Sequence, residues 1–209
     1  MAVIRRIGFL ASGAGSTFEA VVAACQAGTL PLEPVIVIGN NGKAGVFERA
    51  QRLGVQAQHI SAKTAGDATA AGATAADAAI AAALIAVKVD LLVLAGYLKM
   101  LGPAVLAAFD GRIINTHPAL LPKFGGQGMY GMNVHKAVLA AGETTTGVTV
   151  HGVDEEYDHG PVLAQTTVPV EPGDTVETLA ARVQVHEKLF LIETLGQLAR
   201  GELDLPKNA

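Results

Sequence analysis

Three residues of this chain have the types and spacing that acid-base chemistry requires, namely Asn115, His117 and Asp158. A short apolar run leads into Asn115 and His117, and prolines follow, so we predict a buried strand that releases both side chains into a rigid, non-helical turn. An amide and an imidazole that project together offer two hydrogen-bond donors, one of which can give up a proton, and such a pair can stabilise a tetrahedral oxyanion. Asp158 lies in a later polar turn, where its carboxylate can keep the imidazole charged.

The elements that must position these residues alternate between strands and helices over the first two thirds of the chain. The predicted strands are residues 3–11, 34–38, 55–60, 90–95 and 112–115, and the predicted helices are residues 18–26, 44–53, 67–87 and 103–109. This alternation indicates an α/β fold with a mostly parallel, doubly wound, Rossmann-like sheet. Polar groups at the carboxyl ends of its strands are expected to share one crevice.

The last third of the chain has a different pattern. A predicted helix at residues 134–141 is followed by two β-branched runs, 144–153 and 162–170, and then by a helix at 175–198. Two strands joined by a polar turn indicate an antiparallel extension of the sheet. No Ser- or Pro-rich linker interrupts the sequence, so we predict a single domain over residues 1–209.

Composition restricts the possible partners. The chain has 209 residues, of which 50% are hydrophobic and 16% charged, and a formal net charge of -4. Since nucleic-acid binding requires clustered positive charge, we expect no nucleic-acid partner. The alanine-rich stretch 68–87 lacks the large apolar residues of a membrane span, and we predict a packed helix and a cytoplasmic protein without membrane contact. The single cysteine, Cys25, excludes an internal disulfide, and we interpret it as a small packing residue.

The histidines do not have the spacing of a metal site. None of the six forms an H-x-x-x-H pair or has cysteine partners, so we expect no metal. His151 alternates on a β-branched run and can lie near the site or serve in packing. His135 and His159 are expected to face solvent.

A glycine-rich segment, Ser12-Gly13-Ala14-Gly15-Ser16-Thr17, follows the first predicted strand and opens a helix. Backbone N–H groups at a helix N-terminus can bind an anion, although a tight turn with a helix cap is the simpler reading. Phe18 replaces the third glycine of the dinucleotide motif, and Asn40 stands where such a site has an acid. A phosphate monoester is therefore the better candidate ligand.

Taken together, these segments resemble the phosphoribosylglycinamide formyltransferases, folate-dependent enzymes of purine synthesis. The resemblance is carried by the run from Asn115 to Lys123, by Asp158-x-Gly160-Pro161 and by the glycine-rich segment, and it covers nearly the whole chain in the family's order. It implies transfer of a formyl group from 10-formyltetrahydrofolate to the amine of glycinamide ribonucleotide, without a metal. It also implies a phosphate-binding half at residues 1–110 and a catalytic and folate-binding half at 111–209. A monomer and a homodimer both remain open.

The resemblance assigns roles to individual residues. The catalytic residues that it implies are Asn115, His117 and Asp158. The residues that it implies for the ribonucleotide are Gly15, Ser16, Thr17, Gln184 and Glu187. The residues that it implies for the folate are Leu98, Lys99, Met100, Leu101, Asn115, Asp154, Glu155, Glu156, Tyr157 and Asp158. For three of these groups a simpler reading exists. The stretch 94–101 can be a strand end followed by an apolar turn, and 154–158 can be a solvated acidic turn. Gln184 and Glu187 can lie on an exposed helix face, where Glu187 pairs with Lys188.

Several positions depart from the family's pattern. Thr17 stands where Asn is common, Lys99 stands where Arg is frequent, and the alanine-rich stretch lacks an Arg that meets the folate in relatives. Residues 124–133 form a glycine-rich insertion that we predict to be a flap over the substrate.

Three other functions share some of these features. A formyltetrahydrofolate hydrolase uses the same triad with water as the acceptor, but such proteins usually carry an additional regulatory domain. A formyltransferase for aminoacylated tRNA is expected to have a basic C-terminal domain. A non-catalytic nucleotide-binding module has no need to keep Asn115, His117 and Asp158 together.

Overall fold

A seven-stranded mixed sheet forms the centre of the molecule, in the order β3-β2-β1-β4-β5-β6-β7. The computed structural model describes residues 4–66 and 68–205. The strands are β1 (Arg6–Ala11), β2 (Glu33–Gly39), β3 (Gln56–His59), β4 (Leu91–Leu94), β5 (Ile113–His117), β6 (Thr145–Gly152) and β7 (Val162–Pro169). Strands β1 to β5 pair in parallel, and β6 and β7 extend the sheet in the antiparallel sense, which confirms the predicted α/β architecture.

Helices cover both faces of the parallel strands. They are α1 (Ser16–Gln26), α2 (Val46–Leu53), α3 (Ala62–Ala65), α4 (Ala70–Ala86), α5 (Pro103–Ala108), α6 (Met132–Ala140) and α7 (Val176–Arg200). Alternate residues of each strand point to opposite faces, so Phe9 packs with α1, α2 and α7 while Leu10 packs with α4 and α5. Because both faces are covered, the parallel strands read as unbroken apolar runs. A third apolar cluster joins α6 and α7 to β6 and β7.

The chain turns from one side of β1 to the other between β3 and β4, so β2 and β4 flank β1. In a doubly wound sheet such a switch leaves a crevice beyond the carboxyl ends of the central strands. Ser12 links the loop after β1 to the loop after β4 at this crevice. Its N–H donates to the Gly96 carbonyl at 3.0 Å, and its hydroxyl accepts from the Leu98 N–H at 2.9 Å.

One strand boundary was predicted wrongly. Asn115 and His117 do not lie in a turn but in β5, which continues to His117 because β6 pairs with it, Asn115 opposite His151 and His117 opposite Thr149. The parallel partner, β4, ends opposite Asn115, so the antiparallel partner alone holds the last two residues of the strand.

Other boundaries differ by a few residues. The short helix α3 was not predicted; Ser61 and Thr64 cap it reciprocally. The predicted starts at Val3 and Asp67 lie outside the described residues. Cys25 is half-buried against the core, and burial raises the pKa of its thiol to about 11, in keeping with a packing role. Among the described helices, none has both the length and the apolar character needed to cross a membrane.

Candidate active site

A cavity of about 700 Å³ lies beyond the carboxyl ends of β1, β4 and β5. Its size is that of a small-molecule site. The lining consists of residues 13–17, 94–101, 115–118 and 126–132, together with His135, His151, Val153, Asp154, Glu156, Tyr157, Asp158, Gln184 and Glu187. Nearly all residues predicted for the site therefore meet at one cavity, although the sequence separates them by up to 170 positions or so.

One end of the cavity is the loop between β1 and α1, which we call the glycine loop (residues 13–17). Gly15 precedes α1 with φ +78°, a left-handed conformation that favours glycine, and a Cβ there would lie 2.5 Å from Cγ2 of Val46. No side chain caps the helix, so the first N–H groups of α1 are left for a ligand. Gly15, Ser16 and Thr17 all line the cavity, as an anion site at a helix N-terminus requires.

The opposite end of the cavity holds His117, whose side chain is buried. Its Nε2 lies 2.8 Å from the Phe124 carbonyl oxygen, which can only accept, so Nε2 carries a proton. Its Nδ1 lies 3.4 Å from Oδ2 of Asp158. Hydrogen-bond acceptors therefore face both ring nitrogens of His117.

Asp158 is held in place as an ionised carboxylate. Its Oδ2 accepts a hydrogen bond from the Gly126 N–H at 2.9 Å, and the residue adopts φ +55° between β6 and β7. Burial by itself would raise the pKa of Asp158, but hydrogen bonding to His117 and His151, the charge of His117 and the Gly126 amide together hold that pKa well below its ordinary value.

His151 belongs to the same cluster. Its Nδ1 donates to the Gly152 carbonyl at 2.7 Å, its Nε2 lies 3.1 Å from Nδ2 of Asn115, and Nε2 is 3.6 Å from Oδ1 of Asp158. Nε2 of His151 thus lies between the Asn115 amide and the Asp158 carboxylate, and these contacts fix the position of the amide. From the sequence, His151 could lie near the site or serve only in packing. The register of β5 against β6, which places His151 opposite Asn115, brings it to the site.

His135 was predicted to face solvent, and that prediction is wrong. Its side chain is only 2% exposed and lines the cavity. Helix α6 packs against α7, which turns Val134, His135 and Val138 inward. Burial, reinforced by the charge of His117, lowers the pKa of His135 and keeps the ring uncharged. Its Nδ1 is buried without a hydrogen-bond partner among the described residues.

The two residues predicted on the C-terminal helix also reach the cavity. Glu187 accepts a 2.5 Å hydrogen bond from the Thr116 hydroxyl, and burial raises the pKa of its carboxyl group despite that bond and the nearby charges of Lys188 and His117. This inward position argues against the surface pair with Lys188 as its main role. Gln184 is more exposed but lines the same cavity.

The residues predicted to meet a folate are only partly brought together. Leu98, Lys99, Met100 and Leu101 line the cavity, as do Asp154, Glu156 and Tyr157. Glu155 is exposed and is not part of the lining. A neighbouring cavity of about 990 Å³ shares Tyr97, residues 99–101 and Tyr157 with the first, so an elongated ligand can extend from one into the other.

No set of three or more His, Cys, Asp or Glu side chains within residues 4–66 and 68–205 has an arrangement that could hold a metal ion. The side chains that converge at the cavity are instead suited to hydrogen bonding and proton transfer. Such an arrangement can stabilise an oxyanion at one end while the glycine loop holds an anionic group at the other.

Comparison with known proteins identifies the class to which this fold and site belong. The sequence model described as formyl transferase matches residues 5–195, and the chain belongs to that family. A solved structure of glycinamide ribonucleotide transformylase 1 from Symbiobacterium toebii superimposes with a TM-score of 0.87 at 35% identity, covering 98% of this chain and 95% of that one.

Relatives in sequence carry a more particular name. Phosphoribosylglycinamide formyltransferase of Haemophilus influenzae is 33% identical over 205 residues, which are 98% of this chain and 92% of the relative. The chloroplastic phosphoribosylglycinamide formyltransferase of Vigna unguiculata is 39% identical over 194 residues, and the chain spans 61% of its length. The resemblance to this group of formyltransferases is confirmed.

Proposed function

We propose that the protein transfers a formyl group from 10-formyltetrahydrofolate to the amine of glycinamide ribonucleotide, a step of purine synthesis. The observation that carries this proposal is the convergence of Asn115, His117 and Asp158 on one cavity whose other end is the glycine loop. The names of the relatives support formyl transfer to glycinamide ribonucleotide. Residues 1–209 acting as one domain and a cytoplasmic location remain predictions.

The glycine loop binds the phosphate of the ribonucleotide in this proposal. The N–H groups at the start of α1 and the hydroxyls of Ser16 and Thr17 supply donors, and the helix dipole favours a negative charge there. Gln184 and Glu187 offer polar groups from α7 in the wall of the same cavity. They are suited to the glycinamide part of the substrate, which carries both donors and acceptors.

The folate co-substrate, which supplies the formyl group when it is bound, fits against residues 98–101 and the 154–158 turn. Leu98 and Met100 are exposed apolar side chains, 53% and 50% accessible, and they offer a surface on which a flat ring can pack. Lys99 offers a positive charge near the junction with the second cavity. That junction suits the elongated shape of a folate.

At the reacting centre, the chain provides donors for the charge that develops on the formyl oxygen. The Asn115 amide and the His117 imidazolium both donate, and donors fixed before the reaction stabilise the transition state more than the ground state. Asp158 orients the His117 ring through its contact with Nδ1. His117 is also the acid that can protonate the folate nitrogen as it leaves.

A purified-protein assay tests the proposal by following loss of 10-formyltetrahydrofolate with and without glycinamide ribonucleotide, and by detecting the formylated product by mass spectrometry. We expect loss that depends on the acceptor, with one product formed per formyl group consumed. Replacing Asn115 with Ala should lower kcat by about a hundredfold or more, with little change in either KM. Loss without the acceptor would indicate a hydrolase, and no turnover together with ligand binding would indicate a binding module.

A further inference from the structure

Three histidines with buried side chains line the cavity, and they differ in how their ring nitrogens are used. In His117, Nε2 bonds to the Phe124 carbonyl and Nδ1 faces Asp158. In His151, Nδ1 bonds to the Gly152 carbonyl and Nε2 lies against the Asn115 amide. Both rings are therefore held by protein hydrogen bonds, and the Nδ1–H of His117, 3.4 Å from Asp158, remains able to donate to a substrate.

His135 is different, because within the described part of the chain its ring makes no hydrogen bond. A buried imidazole without partners loses the hydrogen bonds that water would have given it, so its place in a core requires an explanation. It lies on the wall of the cavity, and burial and the charge of His117 lower its pKa. An uncharged ring has a lone pair, and here no protein donor occupies it.

We propose that His135 is a further catalytic residue of the formyl transfer, whose uncharged imidazole accepts the proton that the attacking amine releases. This inference rests on the proposed function. His117 is surrounded by acceptors, whereas His135 is surrounded by apolar packing and a neighbouring charge. Two groups of one type in such different surroundings can divide the roles of acid and base between them. His117 is then the acid of the cavity, and His135 is its base.

The proton and electron balance closes without any further reactant. As the neutral amine nitrogen bonds to the formyl carbon, the carbonyl π electrons move to the oxygen, which Asn115 and His117 stabilise. The nitrogen then gives its extra proton to His135. When the carbonyl reforms, the bond from carbon to the folate nitrogen breaks, and that nitrogen takes a proton from His117. Exchange with water returns the two rings to their starting states.

Other titratable groups face the same part of the cavity, and the test must separate them from His135. They are His117 on β5, His151 on β6, Asp158 before β7 and Glu187 on α7. A base works only without its proton, so the contribution of His135 to kcat falls as pH falls through its lowered pKa. That acid limb should lie below the ordinary range of histidine.

The first measurement uses the unchanged protein. Isotope-labelled histidine, with the His135 signal assigned by its loss in the His135→Gln variant, reports the charge of the ring by NMR. We expect His135 to be uncharged at pH 7. A charged ring at that pH would overturn the proposal, and this result does not depend on turnover.

The second measurement compares variants in the formyl-transfer assay. His135→Gln should lower kcat about a hundredfold, leave the dissociation constants of both substrates within about threefold by calorimetry, and abolish the acid limb of the kcat profile. Thr146→Val is a matched control, since Thr146 is also buried with an unpartnered hydroxyl but does not line the cavity. His186→Gln, on the exposed side of α7, controls for loss of a histidine.

Both controls should keep kcat within about twofold. Near-normal turnover in His135→Gln, or a loss confined to substrate affinity, would refute a role as the base. Absence of formyl transfer by the unchanged protein would instead refute the proposed function, and the two failures are thus distinguishable.

Discussion

The two ends of the cavity are built in different ways. The glycine loop presents backbone groups whose geometry depends on one left-handed residue, Gly15, and on the start of α1. The end around His117 presents side chains from β5, β6 and the loop before β7, and their charge states depend on burial and on one another. One end is specified locally by the sequence, and the other exists only after distant segments have packed.

The difference predicts different consequences of substitution at the two ends. Fixed peptide dipoles do not titrate, so damage to the glycine loop should appear as weaker binding of one substrate. Groups that change protonation act in the transition state, so damage around His117 should appear mainly in kcat. The predictions below test this contrast.

The largest effect is expected for Asp158→Asn, which keeps the shape of the side chain but removes its charge. His117 then loses its ionic partner, and kcat should fall on the order of a hundredfold or more with small changes in KM. Because Asp158 and His117 act as a unit, the double variant Asp158→Asn/His117→Ala should be little worse than the poorer single variant. Steady-state kinetics of the four proteins provides the check, and additive losses would show that the two residues act separately.

An intermediate effect is expected for Gly15→Ala at the other end. The added Cβ would meet the backbone Cα of Val46 at 2.9 Å, and φ +78° is strained for alanine, so the loop must shift away from α2. KM for glycinamide ribonucleotide should rise about tenfold, with folate affinity nearly unchanged by calorimetry.

Gly28→Ala is the matched control for Gly15→Ala. Gly28 has a similar φ of +74°, but no atom of the described residues lies within 4 Å of an added Cβ, and Gly28 does not line the cavity. Its substitution should cost about 1 kcal/mol of stability and leave both KM values unchanged. Equal weakening of both ligands by Gly15→Ala would contradict the separation of the two ends.

The smallest effect is expected for Glu187→Gln. Burial raises the pKa of Glu187 in the folded protein, so its stabilising contribution is complete below the ordinary glutamate range and is lost as pH rises through the raised value. Gln cannot ionise and can still accept from Thr116. Between pH 5 and pH 8, urea unfolding should therefore shift in favour of the variant, on the order of 1 kcal/mol.

The pH dependence of Asp158 has the opposite sign. Its folded pKa is lowered, so its contribution to stability is present at neutral pH and is lost only as pH falls through that lowered value.

An unchanged difference in unfolding free energy between wild type and Glu187→Gln across the pH range would show that Glu187 is solvated like a surface carboxylate.

Much of the fold follows from local pattern. Strands β1, β2 and β4 are apolar runs bounded by turn residues. Such runs can be recognised in the sequence, because a strand covered on both faces of a parallel sheet is apolar throughout. The end of β5 cannot be recognised in this way, since its last residues depend on hydrogen bonds to β6, some 30 positions further on. Pattern within a segment carries no information about such a partner.

The site likewise contains residues that the sequence could identify and residues that it could not. Asn115, His117 and Asp158 could be named because their residue types and motif resemble those of a known family. His135 could not, because α6 has apolar residues around it and the sequence does not reveal which side of this short helix will pack on α7. For His151 the alternation of β6 shows that the residue shares a face with Thr149, but not that this face meets Asn115.

The glycine-rich segment, residues 124–133, is hydrogen-bonded to the site near its beginning. The Phe124 carbonyl bonds to His117 and the Gly126 N–H donates to Asp158. Further along, the Met129 N–H donates to the Gly126 carbonyl and the Tyr130 N–H to the Gly128 carbonyl, so these bonds join the segment to itself. Residues added or removed beyond Gly126 therefore leave the histidine and the carboxylate where they are. In evolutionary terms, this is a place where chain length can drift while His117 and Asp158 keep their contacts.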